Sequence, residues 1–276
     1  MSLTWVDGVA TDTVPADDRG LNYADGAFET LSCHEGRVQY ADLHQNRLIR
    51  ALTALNVTGA AEQGARLFAE VAQCLNNARH TGVARLTVTR GSGPRGYAPP
   101  TPPQLRSILR ACPQPVSSHS ELRCGIAATR WATQSQLAGL KLLARTEQVL
   151  AAGEGAAAGW DDMIMLDSDD HVISSSRANL FMLFDKKVAT PCLDRCGIAG
   201  TRRELLLTQL LPVMGYAVEI RPISVVECVS ADALITTNSI SGITPIAQIG
   251  ESMVASPVGS EWVTALQRVM QSNPCE

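Results

Sequence analysis

The feature that most constrains the fold is a change in the spacing of apolar residues near Asp42. Before it, TWVDG and AFETLSCHEGRVQY alternate apolar and polar residues, which is typical of strands joined by tight turns. From Asp42 onward the apolar residues fall on one side of a helix, and a second helix is predicted over 61–79. The chain therefore begins with a sheet that is followed by two helices.

A break in periodicity divides the chain in two. VARLTVTRG and LRSILRAC predict two more strands around a Gly- and Pro-rich loop. The next segment, 113–120, is rich in Pro and Ser and has no periodicity, so we predict an interdomain linker there. Strand clusters with irregularly placed helices indicate two α+β domains, residues 1–116 and 117–276, and not a repeated βαβ array.

The second part of the chain contains mostly strands. Three helices are predicted in it: one headed by Lys141, one over TRRELLLTQLLPVMG that Gly215 ends, and one from about Pro257. The strands are predicted at LRCGIAATR, DDMIMLD, HVISSS, NLFMLFDKKVAT, AVEIRPIS, ALITTNS and ITPIAQI.

Composition and charge argue against several classes of protein. With 276 residues, 45% of them hydrophobic and 18% charged, the chain is globular and has ample core material. Its net charge of -4 and lack of a basic run argue against a nucleic-acid partner. We see no signal-peptide pattern and no apolar run near the roughly 18 residues that span a membrane. A cytoplasmic protein without a membrane partner is therefore predicted.

Cysteines and histidines give no sign of a metal site. The eight cysteines are scattered without C-x-x-C pairs, which favours buried thiols over zinc ligands or disulfides. The five histidines form no metal-type pair and no Ser-His-Asp order. We therefore predict neither a metalloenzyme nor a hydrolase.

Four stretches could carry chemistry, and three of them have a simpler interpretation. Lys141 in AGLKLLARTEQVL and Arg47 on a helix are, taken alone, ordinary solvated residues. GIAGTR, 197–202, runs into a helix, whose free N–H groups and dipole suit a phosphate. Thr237-Asn238-Ser239 follows the strand ALIT and could supply further contacts to such a phosphate. A hydrogen-bonded turn at the end of the strand is the alternative.

Two further stretches combine charges with glycines. Asp18-Arg19-Gly20 and DGAFET, 25–30, place charges ahead of a strand, for which a structural ion pair is the simpler interpretation. RGSGPRGY, 90–97, brings two arginines and a tyrosine into a glycine-rich loop. It lacks the G-K-[ST] ending of a P-loop, so a carboxylate-binding loop fits it better.

Taken in order, these stretches resemble the fold-type IV pyridoxal-phosphate enzymes. This family contains branched-chain and D-amino-acid aminotransferases and aminodeoxychorismate lyases. The similarity extends over nearly the whole chain, from DRG and DGAFET to TNSISGITPI. Within the family, RGSGPRGY, GLKLLARTEQVL and the asparagine of TTNS are most similar to the lyases.

The resemblance implies pyridoxal 5'-phosphate as the cofactor and assigns roles to single residues. Lys141 matches the lysine that binds the cofactor covalently and acts as the catalytic residue. Arg95 and Tyr97 become candidates for binding the substrate carboxylates. The other implied cofactor contacts are Arg47, Ser174, the backbone amides of Thr201 and Arg202, Thr237 and Asn238.

One position departs from the family pattern. Most members have a glutamate that contacts the pyridine nitrogen of the cofactor, and HVISSSRANLF has Ser174 there. A hydroxyl cannot hold a pyridinium as a carboxylate can, so the electron sink is weaker. β-Elimination suffers less from this loss than transamination, because its electrons leave with the neighbouring group. The substitution thus favours a lyase.

The resemblance implies a homodimeric lyase. Its reaction would convert 4-amino-4-deoxychorismate to 4-aminobenzoate and pyruvate in folate biosynthesis. A class IV aminotransferase acting on a D-amino or branched-chain amino acid is the close alternative. A non-catalytic protein that binds pyridoxal phosphate is a more distant one.

Overall fold

The computed structural model describes residues 3–115, 119–254 and 257–272. The predicted boundary at 116/117 and the middle of the predicted linker lie outside these residues, as does Cys275. Contacts group residues up to 115 with Leu140–Ala144 in a first unit, and residues 119–139 and from 145 onward in a second. In the described part of the chain, no helix is long and apolar enough to cross a membrane.

The described part of the first unit contains a six-stranded sheet in the order β2-β1-β6-β5-β3-β4, with antiparallel neighbours. Along β5, buried Ala84, Leu86 and Val88 alternate with residues that face outward, as the sequence pattern predicts. The strands are β1 Leu3–Val6, β2 Val9–Ala10, β3 Gly26–His34, β4 Arg37–Val38, β5 Gly82–Thr89 and β6 Arg106–Cys112.

Three helices accompany this sheet: α1 Arg19–Tyr23, α2 Ala41–Ala54 and α3 Ala60–Asn77. The latter two match the predicted pair of helices. Their apolar faces share a core with the sheet, to which α2 contributes Leu48 and α3 contributes Leu67. The short α1 was not predicted.

A short segment from later in the chain completes the first unit. Leu140–Ala144 lies along β3, with Ala27 and Leu142 forming an antiparallel bridge. The Phe28 N–H donates to the Lys141 carbonyl over 3.0 Å, and the Leu143 N–H donates to the carbonyl of the first β3 residue over 3.1 Å. The backbone on both sides of Lys141 is therefore held by a strand.

The prediction of a helix headed by Lys141 is wrong. The helix α4 spans Thr146–Ala158 and begins five residues later. Gly139 has a φ of 78°, which favours glycine, and the next residues satisfy their backbone groups on β3 instead of within a helix. Lys141 thus packs with the first unit, whereas its sequence position suggested the second domain.

In the described part of the second unit, nine strands form one sheet in the order β12-β11-β10-β13-β14-β7-β8-β9, with β15 paired to β14. Strands β8 and β9 are buried throughout. For β8 this agrees with a nearly continuous apolar sequence, whereas β9 buries two serines at its end. The strands are β7 Leu122–Ile126, β8 Asp162–Leu166, β9 Val172–Ser175, β10 Asn179–Phe184, β11 Lys187–Pro191, β12 Val218–Arg221, β13 Ala233–Asn238, β14 Gly242–Ile249 and β15 Ser252–Met253.

The helices of the second unit include the predicted amphipathic one, in three parts. Gly215 follows it with a φ of 81° and donates its N–H to Pro212, as expected of a residue that ends a helix. The parts are α5 Thr201–Leu205, a π-helical turn Leu206–Leu210 and α6 Leu211–Val213; α7 Val225–Ser230 and α8 Pro257–Ser272 follow. The α+β architecture predicted from the sequence is confirmed.

Candidate active site

Lys141 differs from the other lysines of the chain in its surroundings. Its side chain is half-buried, and its Nζ lies 4.4 Å from the centre of the Phe28 ring. The other two lysines, Lys186 and Lys187, are exposed at the turn after β10. The ring covers one side of the Lys141 amine, and β3 fixes the backbone that carries it.

Arg47 is buried in an ion pair that the sequence did not reveal. Its Nε donates to Glu29 Oε1 over 2.8 Å, and its Nη2 donates to Oε2 of the same carboxylate. His44, one helical turn before Arg47, places Nδ1 2.6 Å from Glu29 Oε2. All three side chains are buried. Glu29 therefore fixes the plane of the Arg47 guanidinium, as bidentate pairs do.

The charges of this cluster shift the pKa of Glu29. Burial alone would raise the pKa of its carboxyl, but the charge and hydrogen bonds of Arg47, with those of His44, outweigh it. The pKa falls from the ordinary 4.5 to about 2. Glu29 is thus an anion at neutral pH, and the Arg47 pair is intact there.

Asp25 organises the charged residues near the start of the chain. Arg19 Nε donates to it over 2.9 Å, and Arg90 Nε donates to both of its oxygens at 2.9 and 3.1 Å. Arg19 also donates to the carbonyls of Gly96 and Tyr97 at 2.9 and 2.8 Å. The structural ion-pair interpretation of this stretch is therefore correct, and the pair anchors the glycine-rich loop.

Arg95 and Tyr97 lie on that loop. Both side chains are exposed, Tyr97 to 87%. The Tyr97 ring meets Tyr23 edge to face, with the ring centres 5.6 Å apart. The role of Arg95 and Tyr97 in binding carboxylates stays a prediction.

In the second unit, a glycine turn is clamped by Asn179, which the sequence analysis did not select. Asn179 Nδ2 donates to the Ile198 carbonyl over 2.8 Å, and the Gly200 N–H donates to Asn179 Oδ1 over 3.1 Å. A Cβ at Gly200 would lie 2.1 Å from that Oδ1, so a larger residue would displace the Asn179 amide. The amide of Asn179 therefore sets how the chain enters α5.

The helix start presents backbone N–H groups. Thr201 and Arg202 are buried in the first turn of α5, where N–H groups have no acceptor within a helix. Intrahelical bonding begins with the Glu204 N–H, which donates to Gly200. The geometry is that of an anion cup.

Thr237 and Asn238 are the last two residues of β13, and their side chains differ in hydrogen bonding. Thr237 is 1% exposed, and in the described part of the chain its Oγ1 has no hydrogen-bond partner. Asn238 Oδ1 accepts from the N–H groups of Ile240 and Ser241 at 2.9 and 2.8 Å, which makes the strand-end turn that the sequence left open. A cofactor role for Asn238 stays a prediction, whereas the Thr237 hydroxyl is suited to a ligand.

Ser174 on β9 is 4% exposed and accepts a hydrogen bond from Trp131 Nε1 over 3.1 Å. The guanidinium carbon of Arg145 lies 5.4 Å from the centre of the Trp131 ring. Arg145 Nε and Nη1 are buried, and no described residue accepts a hydrogen bond from them. Burial lowers the pKa of Arg145. Ser174 was a site residue predicted from the sequence, whereas its neighbours Trp131 and Arg145 were not.

One cluster in the described residues has metal-type side chains. Asp167, Asp169 and His171 bring potential ligand atoms within 4.8 Å of one another. Asp167 Oδ1, however, accepts the N–H groups of both other residues at 2.9 Å. The cluster is explained by the turn between β8 and β9.

The first unit thus holds an amine on a backbone fixed by β3, and the second unit presents backbone N–H groups suited to a phosphate. Comparison with known proteins gives the class. The chain belongs to the amino-transferase class IV family, whose model matches residues 26–249. This family depends on pyridoxal phosphate.

Full-length relatives are found among both sequences and solved structures. The aminodeoxychorismate lyase of Vibrio harveyi is 30% identical over 98% of this chain and 99% of its own length. The structure of 4-amino-4-deoxychorismate lyase from Pseudomonas aeruginosa superposes with a TM-score of 0.92, at 36% identity over 99% of this chain and all of that one. A hypothetical aminotransferase from Mycobacterium tuberculosis in its PLP-bound form shares the fold, with a TM-score of 0.79 at 16% identity over 96% of this chain and 95% of that one.

Proposed function

We propose that this chain is a pyridoxal-phosphate-dependent lyase that converts 4-amino-4-deoxychorismate to 4-aminobenzoate and pyruvate, a step of folate biosynthesis. The observation that carries the proposal is its full-length similarity to lyases of this name in two bacteria. The serine at position 174 agrees with an elimination, which depends less on a protonated cofactor ring than transamination does.

The second unit has a site that fits the phosphate of this cofactor. The first-turn N–H groups of Thr201 and Arg202 would donate to the phosphate oxygens. The Thr237 hydroxyl, buried without a partner among the described residues, would donate another hydrogen bond. When bound, the cofactor supplies an aldehyde that condenses with amines and a ring that accepts electrons.

In the first unit, Lys141 would carry out the proton transfers. Its amine would remove the proton from the substrate ring carbon that bears nitrogen, and would then deliver a proton to the departing enolpyruvyl oxygen. The Phe28 ring keeps water from one side of this amine. Arg47, oriented by Glu29, would contribute positive charge toward the phosphate.

Substrate binding and assembly complete the proposal. Arg95 and Tyr97 would bind the substrate carboxylates from their exposed loop. We further propose a homodimer in the cytoplasm, as the family resemblance and the sequence suggest. The net charge of -4 supports a protein that binds neither nucleic acid nor an anionic membrane surface.

The test is an assay without a keto acid. The protein is loaded with pyridoxal phosphate and given aminodeoxychorismate, and 4-aminobenzoate and pyruvate are followed together. Equal and catalytic release of both products is the expected result. If no product forms but D-alanine or leucine converts the cofactor to its amine form, the protein is a class IV aminotransferase.

Thr237→Val is expected to weaken binding of pyridoxal phosphate by about 10- to 100-fold, because a hydrogen bond to a charged group is lost. It should leave the stability of the cofactor-free protein unchanged or slightly higher, since this hydroxyl has no protein partner among the described residues. Equilibrium titration with the cofactor and urea unfolding measure the two quantities.

Thr236→Val is the matched control. Thr236 is the preceding residue of the same strand, and its hydroxyl donates to the Thr244 carbonyl over 3.1 Å. This control should lower stability and leave cofactor affinity nearly unchanged. Equal cofactor affinities for Thr237→Val and the parent protein would remove Thr237 from the phosphate site.

A further inference from the structure

The hydrogen bond between Trp131 and Ser174 can run in one direction only, from the indole N–H to the hydroxyl oxygen. An indole Nε1–H donates and cannot accept, so Ser174 Oγ is the acceptor in this 3.1 Å contact. The Ser174 hydroxyl hydrogen is therefore directed elsewhere. Among the described residues, none accepts a hydrogen bond from it. Ser174 thus presents a buried donor without a protein partner.

Such a donor calls for a ligand atom with a lone pair. A buried hydroxyl hydrogen that finds no acceptor destabilises the folded protein. A protonated ring nitrogen would not remove the deficit, because it is itself a donor. An unprotonated ring nitrogen has one lone pair and would satisfy the hydroxyl. Because Trp131 makes Ser174 Oγ an acceptor, the Ser174 hydroxyl hydrogen favours the unprotonated form of a ring nitrogen beside it.

Arg145 supports the same state through its charge. Its guanidinium stands over the Trp131 ring, and its buried Nε and Nη1 have no acceptor among the described residues. Glu147 is the carboxylate whose charge acts on Arg145, but it accepts no hydrogen bond from the buried Nε and Nη1. A buried guanidinium disfavours a second cation nearby. Most of the family has a carboxylate at this position. This chain instead has the neutral Ser174 hydroxyl, bonded to a tryptophan over which the positively charged Arg145 lies.

We propose that Trp131 fixes the Ser174 hydroxyl as a hydrogen-bond donor to the ring nitrogen of pyridoxal phosphate and so keeps that nitrogen unprotonated. This inference rests on the proposed function, which places the ring nitrogen at Ser174. Ser174 contacts the cofactor, and Trp131 is a positioning residue that acts through it.

The consequence concerns which reaction is supported. An unprotonated ring withdraws electrons less strongly, so removal of a proton is effective only when the electrons can leave with a neighbouring group. The enolpyruvyl oxygen is such a group, whereas an amino acid with no leaving group offers none. The Trp131–Ser174 pair thus restricts the site to eliminations and suppresses amino-group transfer.

The test is nitrogen NMR of the holoenzyme, with pyridoxal phosphate labelled with ¹⁵N in the ring. The parent protein should show the chemical shift of an unprotonated pyridine at neutral pH. Ser174→Glu should show that of a pyridinium. Trp131→Phe, which keeps an aromatic ring, should raise the pH at which the nitrogen protonates and weaken cofactor binding by about 3- to 10-fold.

Trp160→Phe is the matched control, because Trp160 packs against the same apolar cluster but is not bonded to Ser174. It should change neither the chemical shift nor its pH midpoint. If Trp131→Phe fails to fold, Ser174→Ala takes its place, with a loss of affinity of the same size expected. A purely structural role of Trp131 would leave the nitrogen shift unmoved.

Two outcomes overturn the inference: a pyridinium signal in the parent protein, or identical titrations in the parent and Trp131→Phe. Failure of the proposed function looks different. If the protein does not bind pyridoxal phosphate, the parent forms no borohydride-reducible adduct and no nitrogen signal of a bound ring appears. If it is an aminotransferase, the adduct forms but the assay without a keto acid gives no 4-aminobenzoate. The two failures are therefore distinguished in one set of samples.

Discussion

Lys141→Ala is expected to lower the formation of 4-aminobenzoate and pyruvate at least about 10³-fold, because one amine acts as both nucleophile and proton carrier. The alanine should cost little stability, since the backbone hydrogen bonds between this segment and β3 do not depend on the Lys141 side chain. The measurement is kcat/KM with saturating cofactor, together with urea unfolding of both proteins.

Lys187→Ala is the control, because Lys187 is exposed and its Nζ pairs with Glu219 at the surface over 3.8 Å. The sequence contains three lysines, so borohydride reduction followed by peptide mapping gives a clear answer. The label should lie on Lys141 and be absent from the peptide with Lys186 and Lys187. Product formation at the parental rate by Lys141→Ala would refute both enzyme interpretations.

Glu29→Gln should lower the free energy of unfolding by about 3–5 kcal/mol. The amide keeps the volume of the side chain but leaves the Arg47 guanidinium buried without its counter-charge, which is the costly way to break a buried pair. Urea unfolding at neutral pH measures the loss. Cofactor affinity should fall as well, since the orientation of Arg47 depends on this carboxylate.

The surface pair of Glu219 with Arg221 gives the comparison. Its atoms lie 3.4 Å apart, and the Glu219 side chain is 50% exposed. Glu219→Gln should therefore change the unfolding free energy by less than about 1 kcal/mol. Similar losses for Glu29→Gln and Glu219→Gln would show that the buried pair contributes no more than a solvated one.

The same carboxylate predicts how stability depends on pH. Its pKa is lowered from 4.5 in the unfolded chain to about 2 in the folded protein, so the unfolded state binds the proton more readily. The contribution is fully present above the ordinary pKa and is lost as the pH falls through the folded value. Glu29→Gln should lack this component between pH 4.5 and about 2. Parallel pH profiles for parent and variant would contradict the assignment.

The order of strands and helices could be predicted where local periodicity is strong. The alternation in β5 and the apolar run of β8 each predict a strand that exists. The Lys141 segment was mistaken for a helix because its apolar residues satisfy helical spacing, while the pairing that decides its structure lies more than a hundred residues away on β3. The unpredicted α7 did carry a local signal, since Ser224 and Glu227 form a capping box.

Individual site residues could be selected from the sequence, but their partners could not. Arg47 was selected through the family motif, yet the Glu29 that holds it lies on a strand, eighteen positions earlier. Glu29 shares a strand face with the buried Leu31, and a charge at such an inward position was the available sign. Trp131 carries no comparable sign, because only folding brings it beside Ser174.

The pairing of Leu140–Ala144 with β3 also affects how the protein is made. As the chain emerges from the ribosome, the first 115 residues can form their helices and most of their sheet. The Gly26 carbonyl and the Phe28 N–H stay unpaired at this stage, because Leu143 and Lys141 are not yet synthesised. Until translation passes Ala144, that edge of β3 offers unpaired backbone groups to any other nascent chain. The segment that bears the reactive lysine is therefore also the one whose arrival closes the sheet of the first unit.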